Sequence, residues 1–162
     1  MNIGIVVYSQ TGNTYEVAQK VKEALSKKGN SVNIERIHIS DEKERDIKKL
    51  EAQFKDDFLN NTPDLSKYEA LVFGSPVHAF SLSPAMTAFI SQIPSLQNKK
   101  ISCFVTKGLP LSGTGGNQAI SKMKQLSESK GGNFCGSGIV VWNKDREKQI
   151  KKLTEEMCKA FF

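Results

Sequence analysis

The chain has 162 residues, of which 38% are hydrophobic and 25% charged, and a formal net charge of +6. This length suits one domain with its own core, which we expect to span residues 1–162. The sequence has no apolar run of about 18 residues and no basic, cleavable leader, so we expect a cytoplasmic protein without membrane insertion. The lysines are dispersed among acidic residues, which is typical of solvated helix faces and argues against a nucleic-acid-binding patch.

The sequence offers no sign of a metal site or a disulfide framework. Its three cysteines, Cys103, Cys135 and Cys158, are odd in number and form no C-x-x-C pair. We therefore expect buried free thiols and no bound metal.

Strand-like and helix-like segments alternate along the whole chain. Ile3–Tyr8, Ala70–Gly74 and Ile101–Thr106 are almost continuously apolar, as strands buried on both faces of a parallel sheet are. Val32–Glu35 alternates and Gly138–Trp142 is short, which places these two segments at the edges. This pattern predicts a doubly wound α/β fold: a five-stranded parallel sheet in the order 2-1-3-4-5, with helices on both faces.

Apolar residues recur every three or four positions between these strands, which predicts amphipathic helices. Ser83 and Pro84 mark the start of the third helix, while Gly29 and the Gly131-Gly132 pair mark the ends of the first and fourth. The five stripes are Val17, Val21 and Leu25; Ile47, Leu50, Phe54 and Phe58; Met86, Phe89, Ile90 and Ile93; Ala119, Met123 and Leu126; and Ile150, Leu153, Met157 and Phe161.

The loop between the first strand and the first helix has the composition of a phosphate-binding loop. Gly12 allows a tight backbone turn, and the surrounding hydroxyl and amide groups are hydrogen-bond donors. The loop contains no lysine or arginine, but the unpaired N–H groups and positive dipole of a helix start are sufficient to bind a phosphate. The loop consists of Ser9, Gln10, Thr11, Gly12, Asn13 and Thr14.

The run from Tyr8 to Thr14 resembles the phosphate loop of flavodoxins, which bind flavin mononucleotide (FMN). The resemblance extends over the whole chain in length and element order. It implies that FMN is the cofactor, that the loop at 9–14 binds its phosphate, and that the loops after the third and fourth strands flank the isoalloxazine ring.

The two ring loops supply the remaining candidate residues for cofactor binding. Gly-Ser-Pro at 74–76, followed by Ser81-x-x-Pro84, resembles the flavin loop of flavodoxin-like reductases and electron carriers. The glycines of the second loop would allow a planar ligand to approach the backbone closely, although Thr114 and Asn117 are alternative caps for the fourth helix. The candidates are Ser75, Pro76, Val77, His78, Ala79 and Phe80 in the first loop, and Thr106, Lys107, Gly108, Leu109, Gly113 and Gly115 at the second.

The function predicted from this resemblance is electron transfer through bound FMN. The alternatives are an NAD(P)H-dependent FMN or quinone reductase on the same fold and, third, a receiver-type signalling domain, for which Met1–Ser9 and Ala70–Ser75 lack the acidic residues. No residue is assigned as a general acid or base, because the flavin supplies the redox chemistry. The expected partner is a redox protein or NAD(P)H with a quinone. The net positive charge of the chain favours a negatively charged partner.

The first ring loop departs from the flavodoxin pattern in one respect. No glycine lies between Pro76 and Ser83, and a positive φ at Val77 or His78 would cost about 1–3 kcal/mol. In the resembled flavodoxins a flexible glycine peptide supports the one-electron-reduced flavin. We therefore expect this protein to favour two-electron transfer.

Overall fold

The computed structural model describes residues 1–39, 46, 48–52, 55, 63–108 and 114–162. Strands and helices alternate as predicted, with one additional short strand. The strands are β1 (Asn2–Tyr8), β2 (Ser31–Ile37), β3 (Ala70–His78), β4 (Ser81–Leu82), β5 (Lys100–Lys107) and β6 (Asn133–Val141). The helices are α1 (Asn13–Lys27), α2 (described over 48–52), α3 (Pro84–Gln92), α4 (Gly116–Ser129) and α5 (Arg146–Phe161), with a 3-10 turn at Leu65–Lys67.

The sheet confirms the predicted topology. Its strands lie in the order β2-β1-β3-β5-β6, and all neighbours on this path are parallel. This is the order 2-1-3-4-5 of the five predicted strands. β4 was not predicted, and it pairs antiparallel with the end of β3 outside the main path.

The apolar stripes of the helices cover both faces of the sheet. One core contains Ile3, Ile5 and Val7 of β1 beneath α1 and α5, and the other contains Val6 and Phe73 beneath α3 and α4. The stripes of α1, α3 and α5 are buried as predicted. The predicted stripe of α4 is buried except for Leu126, which is half-buried. Leu50 of α2 is buried, whereas the other predicted members of its stripe, Ile47, Phe54 and Phe58, lie outside the described residues.

The predicted helix ends are confirmed. The Ser83 hydroxyl caps α3 by accepting a hydrogen bond from the Met86 N–H at 3.2 Å. Gly29 and Gly131 follow the ends of α1 and α4 at φ of 83° and 86°, where glycine avoids the cost of a left-handed backbone.

Two strand boundaries differ from the prediction by more than two residues. β3 continues to His78 instead of ending at Gly74, because it keeps pairing with β5 as far as Pro76 and then pairs with β4. β6 begins at Asn133 instead of Gly138, and Gly136 and Gly138 lie within it. A Cβ at Gly138 would overlap Leu153 of α5, so this glycine allows helix and strand to pack closely.

The cysteines are free thiols, but only Cys103 is buried, and Cys135 and Cys158 are half-buried. The prediction of burial was therefore wrong for two of the three, because β6 is an edge strand and α5 packs on one side only. Burial raises the pKa of the Cys103 thiol. In the described ranges, no helix has the length and apolarity needed to cross a membrane.

Candidate functional site

The candidate residues that the structure describes lie at one end of the sheet, where the parallel strands β1, β3 and β5 have their carboxyl ends. Strand order reverses between β1 and β3, since β1 connects to β2 on one side and the chain then returns to β3 on the other. Ligands of doubly wound sheets bind beyond the strands at such a reversal.

The loop at 9–14 directs two backbone donors at a single oxygen atom. The N–H groups of Gly12 and Tyr15 both donate to the Ser9 hydroxyl oxygen, at 3.2 Å and 3.3 Å. Gly12 is the N-cap of α1 at φ 94° and ψ −13°, and as a glycine it offers no capping side chain of its own. The N–H groups of Asn13 and Thr14 belong to the first helical turn and have no intrahelical acceptor. Unpaired backbone donors at the positive end of a helix dipole are an arrangement that favours anion binding in proteins.

The hydroxyl of Thr14 has a different environment from the one predicted. It lies 2.7 Å from the hydroxyl of Thr106 at the end of β5, and both side chains are buried. Thr14 therefore joins the start of α1 to the end of β5. Gln10, Thr11 and Gly12 are exposed and Asn13 is half-buried, so these residues lie where a ligand has access to them.

The first ring segment is a β-hairpin instead of the predicted loop. Val77 pairs with Leu82 and His78 with Ser81, and a two-residue turn of Ala79 and Phe80 joins the strands. Both turn residues have positive φ, 47° and 61°, a pattern that two-residue hairpins usually fill with Asn-Gly. From the sequence, a positive φ was expected to be costly at Val77 and His78, and in the structure both are extended strand residues. The left-handed backbone lies instead in the turn that follows them.

The base of this hairpin is anchored by a pair of buried serines. The Ser75 hydroxyl lies 2.8 Å from the hydroxyl of Ser83, which also caps α3. Ser75 and Ser83 are both fully buried. The predicted residue Ser75 thus stabilises the hairpin from inside, whereas Phe80 at the tip is 61% exposed.

The second ring segment reaches the hairpin through a glycine. Gly115 is the N-cap of α4 at φ 97° and ψ −4°, and a Cβ at this position would overlap the backbone of Phe80. The Lys107 ammonium donates to the Thr114 hydroxyl at 2.9 Å across the loop. Neither Thr114 nor Asn117 caps α4. Leu109 and Gly113 lie outside the described residues, so their predicted role stays a prediction.

Sequence reasoning missed three features of this end of the sheet. The Tyr15 N–H lies just past the predicted loop, and helix geometry alone would have included it. Ser83 was recognised as a cap but not as the partner of Ser75. The approach of Gly115 to Phe80 joins residues far apart in sequence and left no local signal. The described residues contain no cluster of three metal-ligating side chains.

A family model described as NADPH-dependent FMN reductase matches residues 1–145. The chain belongs to this family. It is also 27% identical over 161 residues to a flavodoxin from Megasphaera elsdenii, covering 98% of this chain and 99% of that protein. The family and this relative confirm the prediction of a flavodoxin-like protein that binds FMN, and they favour both flavin hypotheses over a signalling domain.

Solved structures support the fold. Oxidised flavodoxin 2 from Bacillus cereus superposes with a TM-score of 0.66 at 14% identity, covering 98% of this chain and 99% of that one. A flavoprotein in complex with FMN from Lactobacillus acidophilus superposes with a TM-score of 0.62 at 17% identity, covering 94% of this chain and 98% of that one.

The described residues fit FMN chemically. The phosphate end of the ligand needs converging donors without a competing carboxylate, and the loop at 9–14 has donors and no acidic residue. The N–H groups of Gly12 and Tyr15 already converge on a hydroxyl oxygen, the kind of acceptor that a phosphate oxygen would replace.

Proposed function

We propose that this protein transfers electrons through FMN whose phosphate lies in the loop at 9–14 and whose ring lies between the β3–β4 hairpin and the start of α4. The observation that carries the proposal is the convergence of the Gly12 and Tyr15 N–H groups on one oxygen at the positive end of α1. Bound FMN supplies the redox chemistry, and the protein determines where the ring lies and what reaches it.

At the phosphate end, binding depends on the backbone and not on charged side chains. The N–H groups of Gly12 and Tyr15 would exchange the Ser9 hydroxyl for phosphate oxygens, and the first-turn N–H groups of Asn13 and Thr14 would add to them. The Thr14–Thr106 hydroxyl pair holds this donor set against the end of β5, so the donors are oriented before the ligand binds. The side chain of Thr11 is exposed on the loop, so its hydroxyl would donate to the phosphate alongside these amides.

At the ring end, the hairpin and the start of α4 form the walls. Pro76 and Val77 are half-buried strand residues that present a firm backbone and an apolar surface, and Phe80 presents its exposed ring at the tip. Gly108 and Gly115 belong to the other wall, where backbone can approach a planar ligand without an intervening side chain. His78 is exposed on the hairpin, and its imidazole is the side-chain donor that this wall would offer to the ring.

The family membership favours a second candidate, in which NAD(P)H reduces the bound flavin directly and FMN or a quinone accepts the electrons. The carrier hypothesis follows the flavodoxin relative, which is matched over nearly its whole length. Both hypotheses require the same cofactor site and differ in the electron donor.

Steady-state kinetics separates the two. Purified holoprotein is mixed with NADPH or NADH and a quinone or free FMN, and nicotinamide oxidation is followed by absorbance. Turnover well above a protein-free control supports the reductase. Absence of turnover, together with reduction of the bound flavin by a reduced redox protein, supports the carrier. If the purified chain contains no flavin and does not take up added FMN, both hypotheses are wrong.

A further inference from the structure

Phe80 combines two features that rarely occur together. Its side chain is 61% exposed, and its backbone is left-handed although it is neither glycine nor asparagine. Such strained positions persist only where the surrounding structure holds them, and they concentrate at functional sites. Ala79, the other residue of the turn, has the same backbone hand, so the whole tip of the hairpin is held in this conformation.

The contact that holds this tip comes from α4. A Cβ on Gly115 would overlap the Cα, the carbonyl carbon and the carbonyl oxygen of Phe80. These are backbone atoms, which cannot rotate out of the way as the end of a side chain can. Gly115 is buried, and its own φ of 97° also favours glycine.

The hairpin is fixed at its other end as well. Leu82 is buried, and the Ser75–Ser83 pair and the capping of α3 hold the chain immediately after β4. The chain that follows the turn is therefore held in place, and the start of α4 lies against the backbone of the turn itself.

We propose that Gly115 is a positioning residue that holds the Ala79–Phe80 turn in its left-handed conformation and so sets how the Phe80 ring is presented at the flavin edge. The second half of this inference rests on the proposed function. The first half concerns the protein without ligand and is independent of it.

The chain offers a matched control. Gly29 has a φ of 83°, but a Cβ there would meet no atom within 4 Å, and it follows α1 outside the candidate site. Gly29→Ala therefore carries the backbone cost of a left-handed alanine without the collision. Gly115→Ala carries both, so the difference between the two variants isolates the contact with Phe80.

The first measurement uses the apo-protein. Backbone amide NMR spectra of Gly115→Ala should show displaced signals for residues 78–82, whereas Gly29→Ala should leave those signals in place. Wild-type signals for the hairpin in Gly115→Ala would overturn the proposal. This measurement gives the same answer whether or not the protein binds FMN, so it distinguishes a failure of this inference from a failure of the proposed function.

The second measurement titrates the variants with FMN and with riboflavin. Gly115→Ala should weaken the binding of both flavins by the same factor, about tenfold or more, because the phosphate loop is untouched. Phe80→Ala keeps the backbone contact and removes the ring, so it should also weaken the binding of both flavins equally, while the cross-strand backbone NOEs of the hairpin remain. It tests the role of the ring even if Gly115→Ala does not fold. Unchanged flavin affinity in Phe80→Ala would contradict a role for this ring at the flavin edge.

Discussion

Two glycines begin the two helices that point at the candidate site, and they have nearly the same backbone conformation. Gly12 caps α1 at φ 94° and Gly115 caps α4 at φ 97°, and neither N-cap residue contributes a capping side chain. A Cβ on Gly12 would meet no atom within 4 Å, whereas a Cβ on Gly115 would overlap the backbone of Phe80. The proposed phosphate end is thus built mainly within one short segment, and the proposed ring end is built by contact between two segments distant in sequence.

The comparison is tested most strongly by replacing each glycine with alanine. Gly115→Ala should lower the free energy of unfolding by about 3 kcal/mol or more, because it adds a backbone collision to the cost of a left-handed alanine. Gly12→Ala should lower it by only about 1 kcal/mol, which is the conformational cost alone. Urea denaturation of the two apo-proteins measures both values. Equal losses would mean that the contact with Phe80 has no energetic weight.

The phosphate end should respond to changes at Thr11 through affinity and not through stability. Thr11→Val removes an exposed hydroxyl donor to a charged phosphate, so FMN binding should weaken by about 1.5–3 kcal/mol. The free energy of unfolding should be nearly unchanged. Titration of the apo-protein with FMN measures the change in affinity. The control is Lys122→Ala, a substitution at an exposed position on α4. A variant that binds FMN as tightly as the wild type would place the phosphate elsewhere.

Thr14 is the exception to the local character of this loop. Thr14→Val leaves the buried Thr106 hydroxyl without its partner, so the apo-protein should lose about 1–2 kcal/mol of unfolding free energy. Thr14→Val combined with Thr106→Val should cost less than the sum of the two single changes, because no hydroxyl is then left unpaired. A double-mutant cycle by urea denaturation measures this coupling, and strictly additive losses would exclude it.

The strained turn predicts a stabilising substitution. Ala79 has a φ of 47°, so Ala79→Gly should raise the free energy of unfolding by about 1 kcal/mol, reduced by the greater chain entropy of glycine in the unfolded state. Ala119→Gly, within α4, should lower it instead. Thermal or urea unfolding measures both. A destabilised Ala79→Gly variant would show that the turn is not strained.

The smallest expected effect concerns the net charge of +6. If the lysines attract an anionic partner, electron exchange with an acidic redox protein should slow several-fold between about 0.05 and 0.5 M salt. A KM for NADPH that rises with salt more than the KM for NADH would point to the nicotinamide phosphate as the anion. Stopped-flow rates that do not depend on salt would leave the lysines a role in solubility alone.

The sequence was sufficient to predict the topology, because the topology depends on local patterns, and a local pattern of the same kind led to the phosphate-loop hypothesis. Continuous apolar segments identified β1, β3 and β5, and the loop at 9–14 combined a glycine with donors directly before a helix. FMN as cofactor followed from the resemblance and is supported by the family. Which residues hold the phosphate stays a prediction.

The ring end was less predictable because it depends on tertiary contacts. Nothing in the sequence of Ala79 and Phe80 indicates a left-handed turn, since neither residue favours one. Gly115 was selected as one of several glycines in the second ring loop, and its closeness to Phe80 became visible only in three dimensions. The preference for two-electron transfer stays a prediction. The basis of that prediction has changed, because left-handed backbone does occur in the first ring segment, at Ala79 and Phe80.

The central claim is that a phosphate group binds in the loop at 9–14 through backbone donors. Parallel titrations of the apo-protein with FMN and with riboflavin test it most directly, because the two ligands differ only in that phosphate. Two or more donors to a charged phosphate predict that FMN binds at least roughly 100-fold more tightly than riboflavin. Equal affinity for the two flavins would contradict the claim.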